Sequence, residues 1–235
     1  MSLVSHPCSM LFGTGVAGTN DRSLTISALV SNGYNLLTEA EAAGFVNTGI
    51  TAAVSFTINS GIMVTNTSAT LAAVTTGAFE NRHSITLYNN GTIGGVAGDT
   101  STVVGGNGST GGVGLDVNCS ITVVNSGVIG SGGGGGGGPG EGRQAYWDDF
   151  EDGGVLYCYV YPGSTCTGLS GSPGTLGAVG NNGAYCAGTS WTGGGAGIDC
   201  VDTVVGNGGA TGTSIKSNGN TVDYSGSGTV LGPET

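Results

Sequence analysis

Basic residues are nearly absent. Arg22, Arg82, Arg143 and Lys216 stand alone against 15 acidic residues, for a net charge of −11. Without a patch of positive charge there is no footprint for phosphates, which excludes nucleic-acid binding. Long apolar runs are missing too: none approaches the roughly 18–20 residues of a membrane span. The start, "MSLVSHPCSML", has neither the charged nor the apolar part of a secretory signal. The two histidines, His6 and His83, have no serine or cysteine motif beside them. No nucleophile, triad or metal cluster emerges, so neither an enzyme nor a cofactor is expected. Charged residues make up only 8% of the chain, yet disorder is excluded as well. Mean hydropathy is +0.17, with valine, isoleucine and leucine spread throughout, which is too apolar for a solvated tail.

Glycine dominates what is present, at 51 of 235 residues, against an average near 7%. It is unevenly placed, with eight glycines in residues 1–80 and 20 in residues 91–140. That shift divides the chain into a strand-rich assembly region, 1–84, and a glycine-rich region, 85–235. In the first, "RSLTISALV" and "AAVSFTINSGIMV" are β-branched and partly alternating, as strands are. Between them "LLTEAEAAGF" predicts a short helix, with a capping box from Thr38 to Glu41 and Gly44 to end it. An internal repeat follows. "SITLYNNGTIGG" (84–95) and "SITVVNSGVIGSG" (120–132) align without gaps, and "FTINSGIMV" and "YSGSGTVLG" are weaker copies. Each is a strand running into Asn-x-Gly, residues suited to a turn with positive φ. A repeat of this length predicts stacked units sharing a core.

Glycines also fall on a three-residue beat. Gly105, Gly108, Gly111 and Gly114 keep it, as do Gly168, Gly171, Gly174, Gly177, Gly180 and Gly183. A polyproline-II-type helix has three residues per turn, so this spacing leaves one face bare and lets helices approach closely. With only five prolines, most positions keep an N–H to bond a neighbouring helix. The expected fold is therefore mostly β with irregular structure, ending in a bundle of polyglycine-II-type helices. Residues 168–183 would span roughly 50 Å if straight. Flexible linkers are the alternative, but a linker has no reason to hold this phase.

Candidate chemistry is thin. "GTGVAG" matches a dinucleotide fingerprint, but no strand precedes it and no helix follows, and chance explains it better. "YWDDFEDGG" packs Asp148, Asp149, Glu151 and Asp152 together. It reads first as a solvated acidic loop, with calcium ligation and glycan acid–base chemistry as alternatives whose spacing it does not match. Cys158, Cys166, Cys186 and Cys200 lack zinc spacing and suit a crosslinked loop region. The local pairs Cys158–Cys166 and Cys186–Cys200 are one of three connectivities, and free thiols are the alternative. Eight of the 15 aromatics lie in two stretches that interrupt the glycine tracts, 141–165 and 184–205. They are Tyr146, Trp147, Phe150, Tyr157, Tyr159, Tyr161, Tyr185 and Trp191. Such rings, with Arg143 beside them, supply the contact area of binding loops. A small local core is the other use they could serve.

Strand–"NNGTIGG", strand–"NSGVIGSGGGGGGG" and glycine tracts alternating with aromatic loops resemble glycine-rich bacteriophage tail proteins, tail-fibre-tip adhesins of T-even-type phages above all. The resemblance covers about residues 84–232, in composition and motif style. It implies an N-terminal region attached to other phage tail proteins, a sandwich of polyglycine-II helices, and loops contacting a bacterial surface receptor, an outer-membrane protein or a glycan. It also implies a virion protein of tail fibre or tail tip, made in the host cytoplasm and released by lysis without a signal peptide. A homotrimer is the preferred assembly, because phage fibres are commonly threefold. A capsid or tail decoration protein and an ice-binding glycine-helix bundle are the alternative functions.

Overall fold

Strands in this chain return to the same three sheets once per turn. The computed structural model describes residues 20–139, 171–172, 174–182 and 206–235, and the backbone of four strands at 141–142, 151–152, 155–156 and 166–167. The first turn holds β1 (Arg22–Ile26), β2 (Tyr34–Asn35) and helix α1 (Leu36–Ala42). The second holds β3 (Ala53–Ile58), β4 (Met63–Val64) and β5 (Val74–Thr75), and the third β6 (Ser84–Asn89), β7 (Thr92–Gly94) and β8 (Leu115–Asp116). The fourth begins with β9 (Ile121–Asn125) and β10 (Val128–Gly130). A long insertion follows, carrying β11 (Glu141–Gly142), β12 (Glu151–Asp152), β13 (Val155–Leu156) and β14 (Cys166–Thr167), before β15 (Ile215–Lys216) resumes the turn. The last turn holds β16 (Val222–Ser225) and β17 (Thr229–Leu231).

The sheets run β1-β3-β6-β9-β16, β17-β10-β7-β4 and β15-β8-β5-β2, and every pair in them is parallel. The result is a three-sided parallel β-solenoid, a β-rich fold with α1 the one helix among the described residues. Its first sheet runs unbroken from β1 to β16, through strands on both sides of residue 84. Stacked apolar columns fill it: Leu24, Phe56, Leu87 and Val123 lie in register on the first sheet. Val64, Ile93 and Ile129 do so on the second, and Val74, Leu115 and Ile215 on the third. Most of these side chains are fully buried, and burying each of those contributes roughly 1.5–3 kcal/mol.

The sequence repeat is this stacking. Thr86 pairs with Thr122 and Thr92 with Val128, so a single offset serves two sheets. The Asn-x-Gly corners differ from expectation, because Gly91 and Gly127 are not among the glycines with positive φ. They serve close approach instead. A Cβ on Gly91 would strike the Ile62 and Asn59 carbonyls, and one on Gly127 the Gly91 carbonyl. The helix also starts earlier than the Thr38 capping box implies. Asn35 is the N-cap, its Oδ1 accepting from Thr38 N–H at 3.2 Å, while Gly44 closes the end with φ 85°.

Cys119, between β8 and β9 where the third turn passes into the fourth, is buried. Burial pushes its thiol above the ordinary value, opposed by weaker bonds with the Thr76 side chain and the Phe79 backbone. Folded protein at mildly alkaline pH should therefore leave Cys119 unlabelled by iodoacetamide, with labelling appearing on denaturation. Peptide mapping reads the outcome.

Candidate functional site

The glycine segments all leave the solenoid between its second and third sheets. Residues 95–101 run out from β7, turn near Val103–Gly105, and return as 106–114 to β8. Residues 131–139 run out from β10, and 206–213 return to β15. Segment 131–139 lies at the centre and is buried throughout.

Its hydrogen bonds cycle with a period of three. The carbonyls of Ser131, Gly134 and Gly137 accept from Gly177, Gly174 and Gly171 at 3.0, 2.8 and 2.8 Å. Those of Gly132, Gly135 and Gly138 accept from Gly212, Gly209 and Gly206 at 3.0, 2.6 and 3.0 Å. Those of Gly133 and Gly136 accept from Gly98 and Ser101 at 2.8 and 2.9 Å. On the donor side Gly132, Gly135 and Gly138 bond the Gly112, Ser109 and Gly106 carbonyls, and Gly134 and Gly137 bond those of Ala178 and Asn181. Five segments thus surround one backbone. Each face of it abuts a neighbour at the place where a side chain would start. A Cβ on Gly134 or Gly137 would strike the Gly209 or Gly206 carbonyl, and one on Gly133 or Gly136 the Gly174 or Gly171 carbonyl. Only glycine permits that approach.

The beat includes turns as well. Gly105 has φ 67° and Gly177 φ 74°, so both reverse the chain. Residues 171, 172 and 174 lie on one arm and 178–181 on another, joined at Leu176–Gly177, so the described part of the tract does not run straight. Gly108, Gly111, Gly114, Gly171, Gly174 and Gly180 do pack against backbone of neighbouring segments.

Apart from the backbone of a few short strands, the aromatic loops fall outside the described residues, but their roots do not. Gly206 N–H donates to Gly138 O, Gly137 N–H to Asn181 O, and Gly171 N–H to Gly137 O. The chain ends that enter and leave both loops therefore meet at the far end of the central segment, opposite Ser131, whose N–H donates to Leu231 O on the solenoid. The first loop is bounded by β11 paired antiparallel with β14 and contains the β12–β13 pair. Arg143, Tyr146, Trp147, Phe150, Tyr157, Tyr159, Tyr161, Tyr185 and Trp191 lie outside the described residues, as do Gly168, Gly183, Cys158, Cys186 and Cys200. Only the backbone of Cys166, Glu151 and Asp152 is described, and Asp148 and Asp149 lie outside it.

Elsewhere the chemistry is sparse. No group of three or more metal-ligating side chains occurs among the described residues, and no described helix is long and apolar enough to cross a membrane. An open groove of about 370 Å³ lies at the first turn, lined by Asn20, Arg22, Gly44, Val46, Thr48, Gly49 and Ile50. Leu29, Val46, Ile50, Met63 and Leu71, all exposed, belong to the first two turns. These residues lie within the strand-rich region 1–84 that the sequence assigns to assembly, although none of them stands out individually there. Four of the five, Leu29, Val46, Ile50 and Leu71, are large apolar residues between the strands, and Met63 is the exposed residue of β4.

Comparison with known proteins agrees with this architecture. In fold, the chain is similar to a chain of the gp37-gp38 adhesin tip complex of the bacteriophage S16 long tail fiber. The TM-score is 0.53 at 19% identity, over 92% of this chain and 82% of that one. No curated protein matches it in sequence. The family model described as phage tail fibre adhesin Gp38 matches residues 21–235. The chain therefore belongs to the Gp38 family of phage tail fibre adhesins and is a receptor-recognition protein of the phage tail.

Proposed function

We propose that this adhesin binds a bacterial surface receptor, an outer-membrane protein or a glycan, through the loops at 141–165 and 184–205, without catalysis. The observation that carries this reading is the meeting of both loop roots at the far end of the glycine segments. A rigid stalk ending in two adjacent loops holds a contact surface clear of the solenoid. The three-residue alternation of bonds along 131–138 supports a polyglycine-II bundle as that stalk. At the other end, the exposed apolar residues of the first turns support attachment of residues 1–84 to another tail protein. The similar S16 chain belongs to a complex described as gp37-gp38, and a second tail-fibre protein is the proposed partner here. A homotrimer, or a monomer on a trimeric fibre, completes the assembly, and native mass measurement separates them.

Binding energy concentrates in buried tryptophan, tyrosine and arginine residues. Trp147→Ala and Trp191→Ala should each cut host adsorption by about tenfold or more, the equivalent of roughly 1.4 kcal/mol or above, with the melting temperature unchanged. A melting temperature that falls with adsorption would place the rings in a local core. Variants that fold, assemble and adsorb like the parent would sink the assignment of these loops.

A further inference from the structure

Gly94 and Gly130 are register partners on the neighbouring strands β7 and β10. Their neighbours Ile93 and Ile129 point into the core, so by alternation these two glycines face outward on the second sheet. Two bare positions side by side make a notch, and Leu176 fills it. A Cβ on Gly94 would lie 3.3 Å from Leu176 Cδ1, and one on Gly130 would lie 2.5 Å from Leu176 Cγ. The same strand row continues to Leu231 of β17, which lies against Gly177: a Cβ there would be 2.8 Å from Leu231 Cβ. Gly177 N–H donates to Ser131 O at 3.0 Å, and Ala178 N–H to Thr175 O at 2.9 Å, closing the turn on the solenoid surface. From this turn two arms, one through Gly174 and Gly171 and the other through Ala178 and Asn181, run outward along the central segment to the loop roots.

We propose that Leu176 is a positioning residue for receptor recognition. Seated over Gly94 and Gly130, it locks the glycine segments to the solenoid and fixes the direction in which the loops are presented. The mechanism is geometric. The insertion is also tied to the solenoid by its chain connections and by backbone bonds at the junction, among them Ser131 N–H to Leu231 O, Gly95 N–H to Gly130 O and Ala73 N–H to Val113 O. A side chain in a fitted notch opposes rocking about that junction, because close-packed atoms leave no room to slide. Both arms start at the clasp, so a shift there carries to both loops together.

The proposal rests on the loops making the receptor contact, which the Trp147 and Trp191 variants test by themselves. The clasp is read at its own turn. Leu176→Ala should speed hydrogen exchange at the Gly177 amide, leave the melting temperature of the solenoid in place, and lower adsorption about tenfold. Leu176→Met, which still fills the notch, should adsorb like the parent. Gly130→Ala should evict Leu176 and lower adsorption similarly. The double variant Leu176→Ala/Gly130→Ala should recover much of the loss, since the new methyl occupies part of the emptied notch. Such coupling is the signature of two residues in direct contact. Unchanged exchange at Gly177 would overturn the clasp itself. Faster exchange with parental adsorption would overturn its role in recognition. A joint fall of melting temperature and adsorption, with no recovery in the double variant, would reduce Leu176 to an ordinary packing residue.

Discussion

Gly134→Val should abolish folding of the glycine segments. Gly134 sits mid-way along the buried central segment, where a Cβ would strike the Gly209 carbonyl and come close to that of Ala210. The obstacle is backbone, so no rotamer change relieves it. Its N–H also donates to Ala178 O at 3.0 Å and its carbonyl accepts from Gly174 at 2.8 Å. Moving the segment aside breaks both bonds and disturbs three neighbours at once. The expected loss exceeds about 4 kcal/mol, a large share of the roughly 5–15 kcal/mol that stabilises a typical domain. Ala97, exposed in the adjoining segment, is the control: Ala97→Val should stay within about 0.5 kcal/mol of the parent. Denaturant unfolding and soluble yield read both. A Gly134→Val protein that unfolds with the parental midpoint would show that the segments are not packed as described. The linker alternative expects that tolerance, and the hydrogen-bond pattern opposes it.

Such packing was partly visible in the amino-acid order. A spacing of three is what backbone-to-backbone contact requires, and Gly108, Gly111, Gly171 and Gly174 occupy contacts of that kind. Gly105 and Gly177 keep the same spacing and yet turn the chain, because a position needing left-handed φ also selects glycine. Phase alone cannot separate the two uses. The pairing of "SITLYNN" with "SITVVNS" was legible for a simple reason: in-register parallel stacking puts equivalent side chains in one column. The third sheet was not legible, since its strands are two residues long and two glycine insertions break the period before it. The loops showed in the sequence as clusters of rings. Their common origin at the far end of the central segment did not, because Gly138 and Gly206 come together only through the bonds of the folded segments. Family membership in turn favours host recognition over the decoration and ice-binding alternatives.

The column that is apolar in the first two turns becomes polar in the next two, and this predicts the second large effect. Ile26 and Ile58 are register partners, Ile58 pairs with Asn89, and Asn89 pairs with Asn125. Both asparagines are fully buried. Asn89 Nδ2 donates to Asn125 Oδ1 at 2.8 Å and to Val128 O at 3.1 Å, while Asn125 Nδ2 donates to Tyr224 Oη at 2.7 Å. The ladder thus ties the third turn to the fourth and the fourth to the last. Each asparagine also serves its own corner, its Oδ1 accepting from Gly91 N–H or Gly127 N–H at 3.2 Å. Asn125→Ala removes the middle rung, empties its volume and strips the buried Asn89 of one partner. The expected cost is about 3 kcal/mol, the sum of a lost buried bond and a small cavity. Tyr224→Phe, which takes only the outermost hydroxyl and leaves the rung in place, should cost about 1 kcal/mol. Losses of equal size in the two variants would mean that the tyrosine anchors the last turn by itself. Asn125→Ala at parental stability would mean that the ladder holds nothing, and that the apolar columns beside it suffice.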